Sequence, residues 1–263
     1  MNMIRVFIML GLCTFVMAVT LAEEPLFSVE QQALRVTQSD KELSVSLRSP
    51  KLRFRDYEGW HLFINTDGSE VLHEKSMSGV GLTAVAKDGA NIQPFYEACG
   101  GYGGFEFADA HEDDAQRVAK MAVDLLSAEQ IEGGTYNIIT DPDLSGVFIH
   151  EAFGHLSEAD FLYENEQMKK KMQLGRRLGI ESLNVIDDGS LEDRMGYITS
   201  DDEGVLPGKT YLIKEGVLHS HLHSRETAHK MDEPLTGNAR AISPLAEPIV
   251  RMTNTYIDKG SAT

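Results

Sequence analysis

The segment from residue 141 to residue 174 constrains the fold of this chain more than any other stretch. It opens with the sequence DPD, a typical helix start, and its pattern predicts a long helix over residues 144–174. Inside that stretch an apolar run leads into the hexapeptide HEAFGH, which contains His150, Glu151 and His155. The sequence therefore predicts that two imidazoles and a carboxylate share one helical element.

These residue types are the parts of a zinc hydrolase. Neutral histidines bind zinc through one ring nitrogen, and a neighbouring glutamate takes a proton from the metal-bound water. We regard His150 and His155 as candidate zinc ligands and Glu151 as the candidate base. The alternative is a buried helix that carries two unrelated histidines.

The spacing of the two histidines predicts a distortion of the helix. Five residues at 3.6 residues per turn leave the side chains of His150 and His155 about 140° apart around a regular helix. Both reach one ion only if the helix contains a widened, π-type turn, a feature found often at functional sites. Gly154 lies inside the motif and lowers the resistance of the backbone to such a turn.

Strand patterns dominate the part of the chain before the motif. Alternating or apolar segments predict strands at residues 44–48, 52–55 and 62–65. Turn signals predict breaks between strands at residues 67–68, 88–89 and 100–104. A helix is predicted over residues 109–128, followed by a domain boundary at residues 132–134. Further short strands are predicted at residues 136–140, 211–213 and 216–218.

The pattern as a whole predicts an α+β fold. An antiparallel sheet with packed helices is expected first, then a metallopeptidase domain of helix plus β-structure that looks incomplete. The expected divisions are a signal peptide (residues 1–22), a central α+β domain (23–131) and the start of a C-terminal metallopeptidase domain (132–263). An exposed sheet edge is expected after Arg251.

The first 22 residues have the layout of a secretory signal peptide. Arg5 precedes a 14-residue apolar run, and small residues come before Glu23. We expect an exported, periplasmic or secreted protein, with an uncleaved anchor as the alternative. Removal of the signal would leave one cysteine, Cys99, of the two in the chain, so an internal disulfide is not expected.

The charge balance excludes one class of partner. The chain has 24 Lys and Arg against 41 Asp and Glu, a formal net charge of −17. Phosphate binding needs a basic surface, so nucleic acid is not expected as the main partner.

Several blocks of the sequence together resemble the TldD/PmbA family, specifically its TldD-type metallopeptidase branch. The resemblance covers roughly residues 43–263 and depends on the order and spacing of separate motifs. These are HEAFGHLSEADFL from His150, DDEGV from Asp201, LIKEGVL from Leu212, RETA from Arg225, TGNAR from Thr236 and RMTNTY from Arg251.

The resemblance implies a zinc-dependent peptidase that acts on small or unfolded peptides held in a narrow channel. It places zinc on His150 and His155 and the catalytic base at Glu151. It also implies a homodimer or heterodimer with a TldD/PmbA-type subunit, and it assigns this chain to the catalytic side because the sister subunit lacks the motif.

This sequence departs from the family in three ways. The family's third zinc ligand is a cysteine in a later β-rich segment that the 263 residues do not include, and Cys99 does not match it. Most of the family's N-terminal domain has no counterpart here. The family is usually cytoplasmic, whereas this chain opens with a signal-like segment.

Two further groups of residues are weaker candidates. His219, His221 and His223 alternate, so on a strand they share one face and could bind a metal, or could form an exposed strand edge. Glu158 could be a third ligand or could orient a ligand, and otherwise Glu158 and Asp160 only solvate the helix.

The sequence leaves three functions open. The first is the zinc metallopeptidase. The second is a non-catalytic interaction subunit that keeps the helix but lacks the segment that completes the site. The third is a dipeptidyl-peptidase-like enzyme, which shares the histidine spacing and little else.

Overall fold

The protein is described by a computed structural model that covers residues 17–22, 51–104 and 114–260. Contacts between Cα atoms divide it into two compact units. The described residues of Met1–Leu21, Trp60–Glu74 and Ile138–Thr263 form one unit, and those of Ala22–Gly59 and Lys75–Asn137 form the other. Antiparallel sheets and short helices make up both, which confirms the predicted α+β class.

A four-stranded sheet with the strand order β1-β2-β3-β4 comes first along the chain. Its strands are β1 (Met17–Ala22), β2 (Lys51–Ile64), β3 (Glu70–Asp88) and β4 (Asn91–Tyr102). Strand β3 pairs with β4 in antiparallel register, from Met77 opposite Tyr102 to Asp88 opposite Asn91. Both hairpin turns fall where the sequence predicted them, at Gly68 and Gly89, which have φ of 88° and 57°.

The core of the second unit, which contains Lys75–Asn137, is formed by strand β3 and one helix. Buried residues alternate along β3 because successive side chains of a strand point to opposite faces of the sheet. Helix α1 (Asp114–Asp124), continued by a 3₁₀ turn at Leu125–Ser127, packs its small apolar face against them. The buried cluster consists of Val80, Leu82, Ala84, Ala86, Val118, Ala119 and Ala122.

In its described residues, the other unit contains a second four-stranded sheet and three α-helices. The sheet has the order β10-β5-β6-β7, and a two-stranded ladder, β8-β9, lies apart from it. The strands are β5 (Val185–Asp188), β6 (Lys209–Lys214), β7 (Val217–Leu218), β8 (Ala239–Arg240), β9 (Ile249–Val250) and β10 (Thr255–Ile257). The helices are α2 (Pro142–Ile149), α3 (Glu166–Lys171) and α4 (Arg225–Met231).

The sheet packs on the segment that carries the HEAFGH motif. Ile149 and Phe153 from that segment join Val185, Leu212 and Met252 in one buried cluster. Strand β10 follows Arg251 and forms an edge of the sheet within the described part of the chain. The motif therefore packs against the β-sheet.

Three local predictions are wrong. The single long helix over residues 144–174 is interrupted, because Glu158 is extended and bridges to Leu222. Residues 136–140 form no strand, and Ile138 and Ile139 are exposed. The predicted break at residues 100–104 begins late, since β4 runs through Gly100 and Gly101.

The N-terminal predictions fall mostly outside the described residues. Residues 1–16 and 44–48, and the start of the helix predicted from residue 109, are among those the structure does not describe. Residues 17–22 of the expected signal peptide form strand β1 of the sheet. Across the described part of the chain, none of the helices combines the length and the apolar character that crossing a bilayer requires.

A buried carboxylate joins the edge strand to its surroundings. Asp187, only 1% exposed, accepts hydrogen bonds from the Thr253 backbone N–H (2.9 Å), the hydroxyls of Thr253 and Thr255 (2.7 Å each) and the Asn238 amide (2.9 Å). Four donors neutralise the cost of placing the carboxylate in the interior. They also fix the segment that leads from β9 into β10.

We predict that Asp187→Asn destabilises the protein by about 2–4 kcal/mol. The new amide nitrogen cannot accept, so donors on that side of the carboxylate lose their partner while buried. The free energy of unfolding in urea measures the loss. Asp193→Asn, at an exposed side chain, is the matched control and should change stability by less than about 0.5 kcal/mol. Equal stability of the two variants would contradict the role of Asp187.

Candidate metal centre

Helix α2 positions the motif and begins where the sequence predicted. The Asp141 side chain accepts a hydrogen bond from the Leu144 backbone N–H at 2.8 Å, and Pro142 occupies the first turn, where its missing N–H is not needed. A capped first turn fixes the helix axis. The histidine-bearing turn that follows Ile149 is therefore directed by a well-defined helix.

A π-helical turn at His150–Gly154 replaces the regular helix within the motif, as the five-residue spacing predicted. The His155 backbone N–H donates to the His150 carbonyl, an i→i+5 bond. The wider turn brings the two imidazoles to one side of the helix, with ring centroids 4.9 Å apart and an interplanar angle of 84°. One ligand atom each from His150, Glu151 and His155 lie within 4.8 Å of one another.

Gly154 leaves space for a neighbouring side chain rather than supplying backbone freedom. Its φ and ψ of −54° and −51° are ordinary helical values that any residue adopts. A Cβ at this position, however, would lie 2.1 Å from Sδ of Met252, which is buried in the core. The glycine thus lets the π turn approach the segment between β9 and β10.

A buried glutamate orients one of the two imidazoles. Oε2 of Glu158, whose side chain is 1% exposed, lies 3.3 Å from Nδ1 of His155. The Nδ1–H donates to this carboxylate, so the lone pair of His155 is on Nε2 and available to a metal. Oε2 of Glu158 also lies 3.8 Å from the Arg251 guanidinium. Of the two roles left open for Glu158, the geometry favours orientation of a ligand, and solvation of the helix is wrong.

The position of Glu158 depends on a distant strand-like segment. The Leu222 backbone N–H donates to Ser157 O (2.8 Å), and the Ala159 N–H donates to Leu222 O (3.1 Å). These two bonds hold the residues on either side of Glu158. Asp160 is tied down as well, because its carboxylate accepts from the Val250 N–H at 2.5 Å, so the expectation that it only solvates the helix is also wrong.

Glu151 is the accessible member of the group. Its side chain is 67% exposed, and its Oε2 lies 3.9 Å from Nε2 of His155. The carboxylate therefore faces the ring nitrogen that Glu158 leaves free, and water reaches both. Two neutral imidazoles beside an accessible carboxylate suit zinc and the activation of water.

The other sequence candidates lie elsewhere. Cys99 is on β4, half-buried against the core of the second unit, where burial raises the pKa of its thiol. His219 is exposed and stays apart, so the three alternating histidines do not form one group. His221 and His223 are buried and meet Glu233 instead, which sequence analysis missed. Burial raises the pKa of Glu233, but its close interactions with both histidines outweigh burial and lower that pKa to about 2.

Comparisons with family models cover both units. The model described as the PmbA/TldA metallopeptidase C-terminal domain matches residues 133–263, and the model of the central domain matches residues 19–128. The second match begins within the expected signal peptide. Together with strand β1, it lends that expectation no support, and export stays a prediction.

Individual proteins similar in sequence to this chain are also named as metalloproteases. A metalloprotease of Methanocaldococcus jannaschii is 41% identical over 214 residues, which is 81% of this chain and 47% of the relative. A zinc metalloprotease TldD homolog of Saccharolobus solfataricus is 28% identical over 225 residues, 84% of this chain and 50% of the relative. The chain thus spans about half the length of these relatives.

A solved structure shows the same fold. A Thermotoga maritima protein, described as a proposed modulator of a DNA gyrase, superimposes with a TM-score of 0.70 at 21% identity. The match covers 81% of this chain and 48% of that protein.

We predict that Gly154→Ala destabilises the protein by about 1–3 kcal/mol, because the methyl group must displace the buried Met252 side chain. Gly146→Ala is the matched control. It lies in helix α2, and a Cβ there meets nothing within 4 Å, so alanine should be neutral or stabilise by up to about 1 kcal/mol. Thermal unfolding measures both variants. Similar unfolding temperatures for the two would contradict the packing assigned to Gly154.

Proposed function

We propose a function for this chain from the family to which it belongs, the PmbA/TldD metallopeptidases. The chain supplies zinc ligands and the general base of a peptidase for small or unfolded peptides. The relatives named as metalloproteases support the protease class, and one is named as a zinc enzyme. The observation that carries the proposal is the π turn, which gathers His150, Glu151 and His155 at one place.

We assign the metal to the two histidines. Nε2 of His155 is held ready by the hydrogen bond from Nδ1 to Glu158, and His150 adds the second imidazole. A bound zinc ion would supply a water of pKa near 7 and polarise the peptide carbonyl. The donor set fits zinc, because neutral imidazole with an oriented second nitrogen is a common zinc ligand.

Glu151 is the proposed general base. A carboxylate beside the ligand nitrogens can accept a proton from water and later transfer it to the leaving amine. Its exposed side chain is free to make both transfers, whereas the buried Glu158 is committed to His155. The two glutamates thus have separate roles, one in proton transfer and one in positioning.

Exposed apolar side chains next to the site support a peptide substrate. Leu144, Val147 and Phe148 lie on helix α2 one to two turns before Glu151, and each is more than half exposed. Spacings of three and four residues place these side chains along one face of the helix. Such a face suits the apolar side chains that an unfolded chain presents.

The third zinc ligand is proposed to come from outside the 263 residues. Within the described part of the chain, the group that meets at the π turn consists of His150, Glu151 and His155. The resemblance to the family implies that this ligand is a cysteine from a later segment. We propose that this ligand comes from a continuation of the polypeptide or from a TldD/PmbA-type partner subunit. We also propose that the protein is exported, with a cytoplasmic location as the alternative.

A non-catalytic interaction subunit is the second candidate. It is favoured by the two-histidine donor set, since two ligands alone should hold zinc weakly. The experiments below separate it from a peptidase, because an interaction subunit would not depend on Glu151.

We predict that Glu151→Gln retains zinc binding and lowers peptide cleavage by roughly 10²–10⁴-fold. Glutamine keeps the shape of the side chain but cannot take the proton. Cleavage of an unfolded peptide is measured for the chain joined to the family's remaining segment, since the 263-residue chain alone should show little activity. Glu164→Gln, at an exposed position after the motif, is the control and should leave cleavage unchanged. Undiminished cleavage in Glu151→Gln would remove Glu151 from the mechanism.

We predict that His150→Ala or His155→Ala removes zinc from this site. Each substitution deletes one of two imidazole ligands, and the remaining one cannot hold the ion. Zinc content after dialysis is measured for wild type and variants of the chain joined to the family's remaining segment, and the expected loss is up to one equivalent per chain. Unchanged zinc content in both variants would show that the histidines of the motif are not ligands.

A further inference from the structure

A second group of metal-binding side chains lies away from the HEAFGH motif. His221 and His223 flank Leu222, and Glu233 follows helix α4. The Glu233 carboxylate lies 2.9 Å from Nδ1 of His221 and 3.1 Å from Nε2 of His223. Both imidazoles are almost wholly buried, with 3% and 0% exposure, and the glutamate side chain is 12% exposed.

The outer nitrogen of His221 is fixed as a donor. Nε2 lies 2.9 Å from the Met172 carbonyl oxygen, which can only accept a hydrogen bond. The proton of a neutral His221 is therefore on Nε2. Its lone pair is then on Nδ1 and faces the Glu233 carboxylate.

The outer nitrogen of His223 can donate in the same way. Nδ1 lies 3.2 Å from Oγ1 of Thr227, whose own hydroxyl proton can be donated to the Ser224 carbonyl at 3.4 Å. Thr227 Oγ1 can then accept the Nδ1–H of His223. A neutral His223 with this pattern also directs its remaining lone pair, on Nε2, at Glu233.

Two lone pairs that face one carboxylate repel it unless positive charge lies between them. One divalent cation bound between the three groups supplies positive charge at that position. A single cation satisfies all three groups at once.

We propose that His221, His223 and Glu233 form a second site for a divalent cation of the zinc type. Two imidazoles and one glutamate are a known three-ligand zinc set, with water in the fourth position. Ligands about 2.0–2.1 Å from a tetrahedral ion are about 3.3 Å apart, so the spacings of 2.9 and 3.1 Å need to open by only a few tenths of an ångström.

The site would act as a brace for the motif. It joins the Met172 carbonyl at the end of α3, the segment of His221 and His223, and Glu233 beyond α4. Leu222, between the two histidines, forms the backbone bonds that hold the residues on either side of Glu158. A metal ion that ties these segments together stabilises the folded state in which Glu158 orients His155.

The test uses the full 263-residue chain with His150→Ala and His155→Ala, which removes the first site and leaves the second intact. After treatment with a chelator, the protein is titrated with Zn²⁺ alone. We expect one equivalent of zinc per chain after dialysis and an unfolding temperature raised by about 5 °C at saturation. Binding of less than about a tenth of an equivalent, with an unchanged unfolding temperature, would overturn the proposal and leave a proton-filled hydrogen-bond network.

Matched variants in the same background localise the ion. His221→Gln and His223→Gln should each abolish the equivalent of zinc, whereas His219→Gln, at an exposed histidine two positions away, should retain it. Zinc that persists in both cluster variants would be bound elsewhere and would overturn the proposal. Since the background lacks His150 and His155, the result is independent of the proposed peptidase site.

Discussion

The candidate metal centre depends on one backbone hydrogen bond, from the His155 N–H to the His150 carbonyl. In a regular helix these two side chains would point in directions about 140° apart. The i→i+5 bond widens the turn and places both imidazoles beside Glu151. Because Gly154 has no side chain, this wider turn can approach Met252 closely enough to stay packed on the core.

Buried carboxylates then hold the surroundings of that turn in place. Glu158 accepts from His155, so this hydrogen bond determines which ring nitrogen is free. Asp187 fixes Thr253 and Thr255, which follow Met252 along the chain. Each carboxylate belongs to a segment that is extended rather than helical. The site is therefore a short distorted helix supported by β-structure. Residues that hold the fold together, such as Glu158, also orient the candidate metal ligands.

The sequence predicts the features that depend on local spacing. The five-residue interval between the histidines predicts the widened turn, and Asp141 and the glycine turns of the first sheet are found where expected. Features that depend on distant contacts were missed. Glu158 interrupts the predicted helix because it pairs with Leu222, and Glu233 reaches His221 only after the chain reverses at Asp232, which has a φ of 56°. No local pattern encodes either contact.

The central claim is that His150 and His155 bind the same ion through a turn that Glu158 helps to arrange. Long-range ¹H–¹⁵N NMR spectra of the imidazole rings, recorded during a titration with Zn²⁺, test it most directly. The account predicts that the ring signals of His150 and His155 change together over the same range of added zinc, while His155 keeps its proton on Nδ1 and loses the free lone pair on Nε2. Signals that change at different zinc concentrations, or a His155 ring that binds through Nδ1, would contradict it.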